Sequence, residues 1–303
     1  MPTNLSSLTV GGIPVMGGNG LPITTGTYFF VSSLVGSNNN DGRSAESAFA
    51  TIAYAIGLCT ADKGDVIIVM PGHAETISAA GGITVNKAGI SIIGLGVGSN
   101  KPTISFSATA STFLISANNV YVANLRVTPT IDEVVKMFSV TGAYVTLDNI
   151  EHFETASCQT IQFLLTSAAA DYLTVKNCYH YQANAAGAAQ KWIELVGCDN
   201  TRILDNTFIL ALNNAATTAI INATTAVVNC QIARNTLLQT GGTTQVSAIL
   251  LASTSTGFVH DNRVAAAVTT LAGTVALASA YGAENYTLNT ANKSGIIDPV
   301  ADS

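Results

Sequence analysis

An all-β fold built as a single-stranded parallel solenoid, a β-helix, follows from three features of this 303-residue chain: a repeat of 25 to 29 residues, short alternating apolar strands within it, and a recurring asparagine. From residue 112 the segments TFLISANNVYVANLRV, MFSVTGAYVTLDNIEHF, FLLTSAAADYLTVKNCYH, WIELVGCDNTRILDNTFI, AIINATTAVVNCQIARNTLL and ILLASTSTGFVHDNRVAA align. Each carries an apolar strand, a polar turn, a second strand and an Asn. The aligned residues are Asn124, Asn149, Asn177, Asn206, Asn235 and Asn262, and a weaker copy, VALASAYGAENYTLNTANKS, adds Asn292.

Such a period marks a solenoid, because one unit cannot bury its own apolar face and must stack on its neighbours. Leucine-rich repeats share the period but need L-x-x-L-x-L. Here the strands are Val, Ile, Thr, Phe and Ala in two-residue alternation, with no 3.6-residue stripe between them. Parallel coils rising about 4.8 Å each suit that pattern. The Asn residues are expected to form one structural column, each bonding to the coils above and below. Before them stand Asp148, Lys176, Asp205, Arg234 and Asp261, whose alternating signs would attract if they lie one coil apart. The neighbouring apolar position moves from two residues before the Asn (Leu147, Val175) to three (Ile203, Ile232, Val259), the mark of a one-residue register slip between coils.

Residues 1–27, MPTNLSSLTVGGIPVMGGNGLPITTGT, have Gly and Pro but no sustained period, and are read as an extended arm that docks on a neighbouring subunit. The β-helix is expected over 28–295. Within it Phe49, Ile52, Ala53 and Ile56 fall at helical spacing, predicting a short capping α-helix over about 47–58 that covers the open first coil. A strand, DVIIVM, the turn Pro71-Gly72 and another strand follow. Residues 81–118 supply two less regular coils, and 296–303 form a C-terminal tail in which Pro299 discourages further pairing.

Only 10% of residues are charged, and the net charge is −6. A surface this neutral suits packing against other protein better than free solution. No Lys/Arg run offers a footprint for nucleic acid or an anionic membrane, and no apolar run is long enough to span a bilayer. The N-terminus lacks a basic start followed by an apolar core, so no export signal is expected. Cys59, Cys158, Cys178, Cys198 and Cys230 form no C-x-x-C pair and are read as free thiols; no metal or cofactor is expected.

Asn39-Asn40-Asp41-Gly42, Ala48-Phe49-Ala50-Thr51-Ile52 and Gly64-Asp65-Val66-Ile67-Ile68-Val69-Met70-Pro71-Gly72 together resemble the opening of right-handed parallel β-helix proteins of the pectin-lyase-like superfamily. With Pro71-Gly72-His73-Ala74-Glu75-Thr76-Ile77, the stretch is most similar to bacteriophage virion proteins of that type. The resemblance spans about residues 28–295. It implies a right-handed coil and a homotrimeric, non-enzymatic structural protein of the virion, made in the host cytoplasm. Capsid decoration beside the major capsid protein is the preferred role. The alternative is a tailspike or tail-fibre protein that binds or depolymerises host glycan.

Polysaccharide-cleaving enzymes on this scaffold place two or three carboxylates with an Arg or Lys on neighbouring coils, and their hydrolase branch carries Asn-Thr-Asp, Asp-Asp, Gly-His-Gly and Arg-Ile-Lys motifs. This chain has only Gly72-His73-Ala74 and Arg202-Ile203-Leu204, so their carboxylates are missing. If it is an enzyme, Asp132, Glu133, Glu151 and His152 are the candidate acids and bases. Asp132 and Glu133 sit in the loop TPTIDEVVKMF. His180 matches His152 one coil later, in a stack expected on the outer face. Trp192, the single Trp, is expected to pack.

Overall fold

The computed structural model describes residues 9–10, 13–14, 24–155, 157–184, 190–212, 219–240, 248–266 and 275–288. Three sheets of ten, nine and eight strands run along the molecule, and the chain visits them in turn. Val66–Val69 lies in the first, Ala74–Ile77 in the second and Ile83–Val85 in the third, before Ser91–Gly94 returns to the first. Neighbouring strands in each are parallel, so the predicted β-helix is the fold.

Alternation puts every second side chain inside. In the first sheet Ile67, Ile92, Val122, Leu147, Val175, Ile203, Ile232 and Val259 pair in one unbroken column, all fully buried. Each such side chain contributes about 1.5–3 kcal/mol of apolar burial. Under the third sheet Phe113, Phe138 and Phe163 continue the core, with successive ring centroids 5.2 Å apart.

The helix is shorter than expected, Ile52–Leu58. Thr51 is its N-cap, with a side chain that accepts from Tyr54 N, and Phe49 is extended instead, bridging Val31. The amide of Phe49 donates to Phe30 O at 2.8 Å, which satisfies its backbone outside any helix. Ile52, Ala55 and Ile56 are buried, and the helix packs on Tyr28–Val31, Val66–Val69 and Ile83–Val85. Asp65 ties this end together, accepting from Thr27 N at 2.6 Å and Thr60 N at 2.7 Å. Within the expected arm, Thr9–Val10 pairs antiparallel with Ile13–Pro14. The rest of residues 1–23, the expected tail 296–303 and Asn292 lie outside the described residues.

The asparagines do not form one column. Lys176 pairs with Leu204 rather than Asp205 in an unshifted register, so Asn206 stands one position further along its coil than Asn177 does. Asn124, Asn149 and Asn177 stand on the outer corner with φ between 52° and 56°, a left-handed conformation that Asn tolerates. Asp205, Arg234 and Asp261 continue that corner at φ 56° to 58°. Asn206, Asn235 and Asn262 turn inward to the place that Leu125, Ile150 and Cys178 hold earlier, and Asn285, not Asn292, extends them.

The expected charge column divides in the same way. Asp148 and Lys176, 3.2 Å apart, end strands of the first sheet, whereas Arg234 grips Asp205 on the corner through two 2.7 Å bonds. Opposite charges one coil apart still attract, within two columns rather than one.

Candidate functional site

The corner Met70–Ile77 holds the first acid-base pair in the chain. His73 follows the Pro71-Gly72 turn and is buried, with Nε2 3.2 Å from Glu75 Oε2. Glu75 faces the interior opposite Ile104, and the same oxygen accepts from Ile52 N at 2.9 Å. That amide opens the helix and has no intrahelical acceptor. The pair therefore closes the helix onto the first coil.

On the second sheet, Arg126, Glu151, Tyr179 and Thr207 align across successive strands and point outward. Glu151 Oε1 lies 3.0 Å from Lys101 Nζ, and Oε2 accepts from Arg126 Nη2 at 2.9 Å. Partial burial works against its ionisation, but the bonds from Lys101 and Arg126 outweigh it and hold the carboxyl below its usual range. A general acid needs the opposite shift. Lys101 is buried and also donates to Asn149 O and Oδ1, so its ammonium serves the corner as well.

Beside this triad is an aromatic strip. The Arg126 guanidinium lies 5.2 Å from the Phe153 centroid, and Phe153 stands 5.5 Å from Tyr179 and 6.3 Å from Tyr181. Phe153 and Tyr181 are exposed. Sequence reading missed this strip, yet a signal existed: in Glu151-His152-Phe153 and Tyr179-His180-Tyr181, any inward His leaves its flanking residues outward.

The histidines are inside, which corrects the expected outer stack. His152 and His180 pair across neighbouring strands and are fully buried. Their rings sit among aromatics: His180 stacks on Phe208 at 4.7 Å, and His152 meets the buried Trp192 edge-on at 4.8 Å. Burial first, and the neighbouring His152 second, push the His180 pKa well below its ordinary value. His152 Nε2 is 3.2 Å from Glu154 Oε1, and Glu154 accepts from Thr160 N at 2.7 Å. Alternation put them inside because the Glu151 and Tyr179 positions face out.

The other two candidates lie elsewhere. Arg126 pairs with Glu151 at the start of Arg126–Pro129, whereas Asp132 and Glu133 follow its far end, about 10 Å on by strand rise. Asp132 is exposed, and Glu133 adopts φ 55°. The four candidates therefore occupy an outer face, the core and a corner loop. Among the described residues no group of three or more His, Cys, Asp or Glu is arranged to hold a metal ion, and no helix is long and apolar enough to cross a membrane. A shallow groove lined by Arg234, Thr236, Asp261, Arg263 and Tyr286 opens further along the second sheet. All five cysteines are free, four of them buried and Cys158 half-buried.

No family model and no curated protein matches this chain. Among solved structures it is similar to pectate lyase Pel9A, at TM-score 0.51 and 17% identity over 90% of this chain and 80% of that one. A rhamnogalacturonan lyase aligns at TM-score 0.45 and 13% identity over 90% of both chains. A GH136 lacto-N-biosidase from Eubacterium ramulus aligns at TM-score 0.38 and 10% identity, over 87% of this chain and 68% of that one. At these identities the likeness to Pel9A concerns the fold alone: this chain is a parallel β-helix.

Proposed function

We propose that this chain is a non-enzymatic structural protein of a bacteriophage particle, a homo-oligomer on the head surface whose arm engages neighbouring subunits. The observation that carries the non-enzymatic part is the state of the candidate acids and bases. Glu151 is neutralised by Lys101 and Arg126, and His152 is sealed in the core beside Glu154. Hydrolysis of a glycosidic bond needs a proton donor and a second carboxylate facing one sugar, and these residues do not face one space. The virion assignment draws on the resemblance of residues 39–77, and the low charge of the chain suits multi-subunit packing. Immunogold labelling of intact particles tests it: gold on the heads is expected. Label confined to tails, or protein found only in host cytoplasm, would refute it.

One observation favours a second reading, attachment to host glycan. Phe153, Tyr179 and Tyr181 beside Arg126 offer the stacking faces and hydrogen-bond donors that sugars use. Glycan-array binding lost on Tyr181→Ala would support it. Reducing-sugar release lost on Glu151→Ala would make the protein a depolymerase instead.

A further inference from the structure

The three most exposed large aliphatic residues among the described residues are Val97, at 81%, Leu34, at 71%, and Val35, at 66%. They belong to one ridge. Ser33 Oγ accepts from Ala74 N at 2.8 Å, and a Cβ at Gly72 would lie 3.4 Å from Leu34 Cδ1, so the Leu34 loop rests on the Pro71-Gly72 turn. Gly72 N donates to Asn100 O at 2.8 Å, and Asn100 N to Val97 O at 3.1 Å, which places the Val97 loop against the other side of that turn. Pro71 is itself exposed. Three successive corners thus present apolar side chains to solvent, which is costly unless something covers them.

We propose that this ridge is the seat for the N-terminal arm of a second copy of the chain. The inference rests on the oligomer reading above and names the surface where the subunits join. Residues 1–23 carry no charged side chain, the first in the chain being Asp41, and they include Leu8, Val10, Ile13, Val15, Met16 and Leu21. A segment so apolar gains by covering an apolar ridge. Thr9–Val10 and Ile13–Pro14 form a two-stranded ribbon, which alone is marginal in water and needs a surface to pack on.

Chain direction points the arm away from its own ridge and toward another subunit's. The arm joins the body at Thr24, which is held at Gly64, and Tyr28–Val31 then runs from there toward Leu34. Thr24 therefore stands at the side of the first sheet opposite its own ridge. Twenty-three residues span at most about 75 Å, ample for reaching a neighbour.

The test uses the full chain with p-benzoylphenylalanine in place of Val97, mixed with ¹⁵N-labelled wild type and irradiated. The expected result is a crosslink from position 97 to a ¹⁵N-labelled peptide within residues 1–23. Light scattering is expected to give a multiple of 31.1 kDa for wild type, with at least tenfold weaker self-association for Leu34→Asn/Val35→Asn/Val97→Asn at unchanged circular dichroism. An oligomer whose crosslinks fall outside residues 1–23, or only within one chain, overturns the seat and leaves the oligomer reading standing. A wild-type chain that stays at 31.1 kDa at every concentration, with no crosslink between chains, overturns both.

Discussion

Replacing Asn235 with Ala should cost far more than replacing Asn177 with Ala, although the two residues occupy the same place in the repeat. The Asn235 side chain is fully buried and makes four bonds. Its Oδ1 accepts from Asn206 N at 3.0 Å and Asn206 Nδ2 at 2.9 Å, and its Nδ2 donates to Ile203 O and Asn262 Oδ1, both at 2.9 Å. Truncation orphans the Asn206 amide and one Asn206 Nδ2 hydrogen, and takes a donor from Ile203 O. At about 1–3 kcal/mol for each of the two donors left unpaired, the expected loss is about 2–6 kcal/mol. Asn177 sits exposed on the corner at φ 55°, where its Nδ2 bond to Asp148 Oδ1 is replaceable by water. Its cost reduces to placing Ala in the left-handed region, about 1 kcal/mol. Asn235→Leu should not rescue, even though Leu125 fills the matching place earlier, because the same partners are orphaned. Urea midpoints by circular dichroism, with hydrogen exchange of residues 203–262 to catch local opening, measure the difference. Equal losses for Asn177→Ala and Asn235→Ala would refute the buried ladder.

Three further outcomes are expected. Because the His180 pKa is depressed by burial, the unfolded chain binds a proton that the folded chain refuses once pH falls below the ordinary 6.5. Stability should then fall by up to about 1.4 kcal/mol per pH unit, with no such contribution above 6.5. His180→Phe, which extends the stack on Phe208, should flatten this slope in melts between pH 6.5 and 5; an unchanged slope would place the acid sensitivity elsewhere. Glu75→Ala removes the acceptor for Ile52 N and should lower stability by about 1 kcal/mol in a thermal melt, whereas a loss near zero would mean water replaces the carboxylate. Burial pushes the Cys178 thiol up to about 12, so it should resist Ellman's reagent in the native protein and react in urea, as judged by mass mapping.

Much of the first coil is legible in its residues alone. Val66–Val69, the turn at Pro71-Gly72 and Ala74–Ile77 fall where their residues predict, because a strand needs only its own alternation and a turn only its own Pro and Gly. The helix begins later than its spacing predicts, since Phe49 fits the helical period but is held extended by Val31. Glu75 is legible as a carboxylate near a turn. Its partner, the amide of Ile52, lies 23 residues earlier, where no local pattern points to it.

The coil, its period and the inward columns of Val, Ile, Leu and Phe are legible in the residues alone, since each repeat carries its own alternation and similar units can only stack. Tertiary pairing decided which face each polar residue takes. Because Lys176 pairs with Leu204 in an unbroken register, Asn177 falls on the exposed corner and Asn206 one position on, inside the core; one step along the coil exchanges outside and inside.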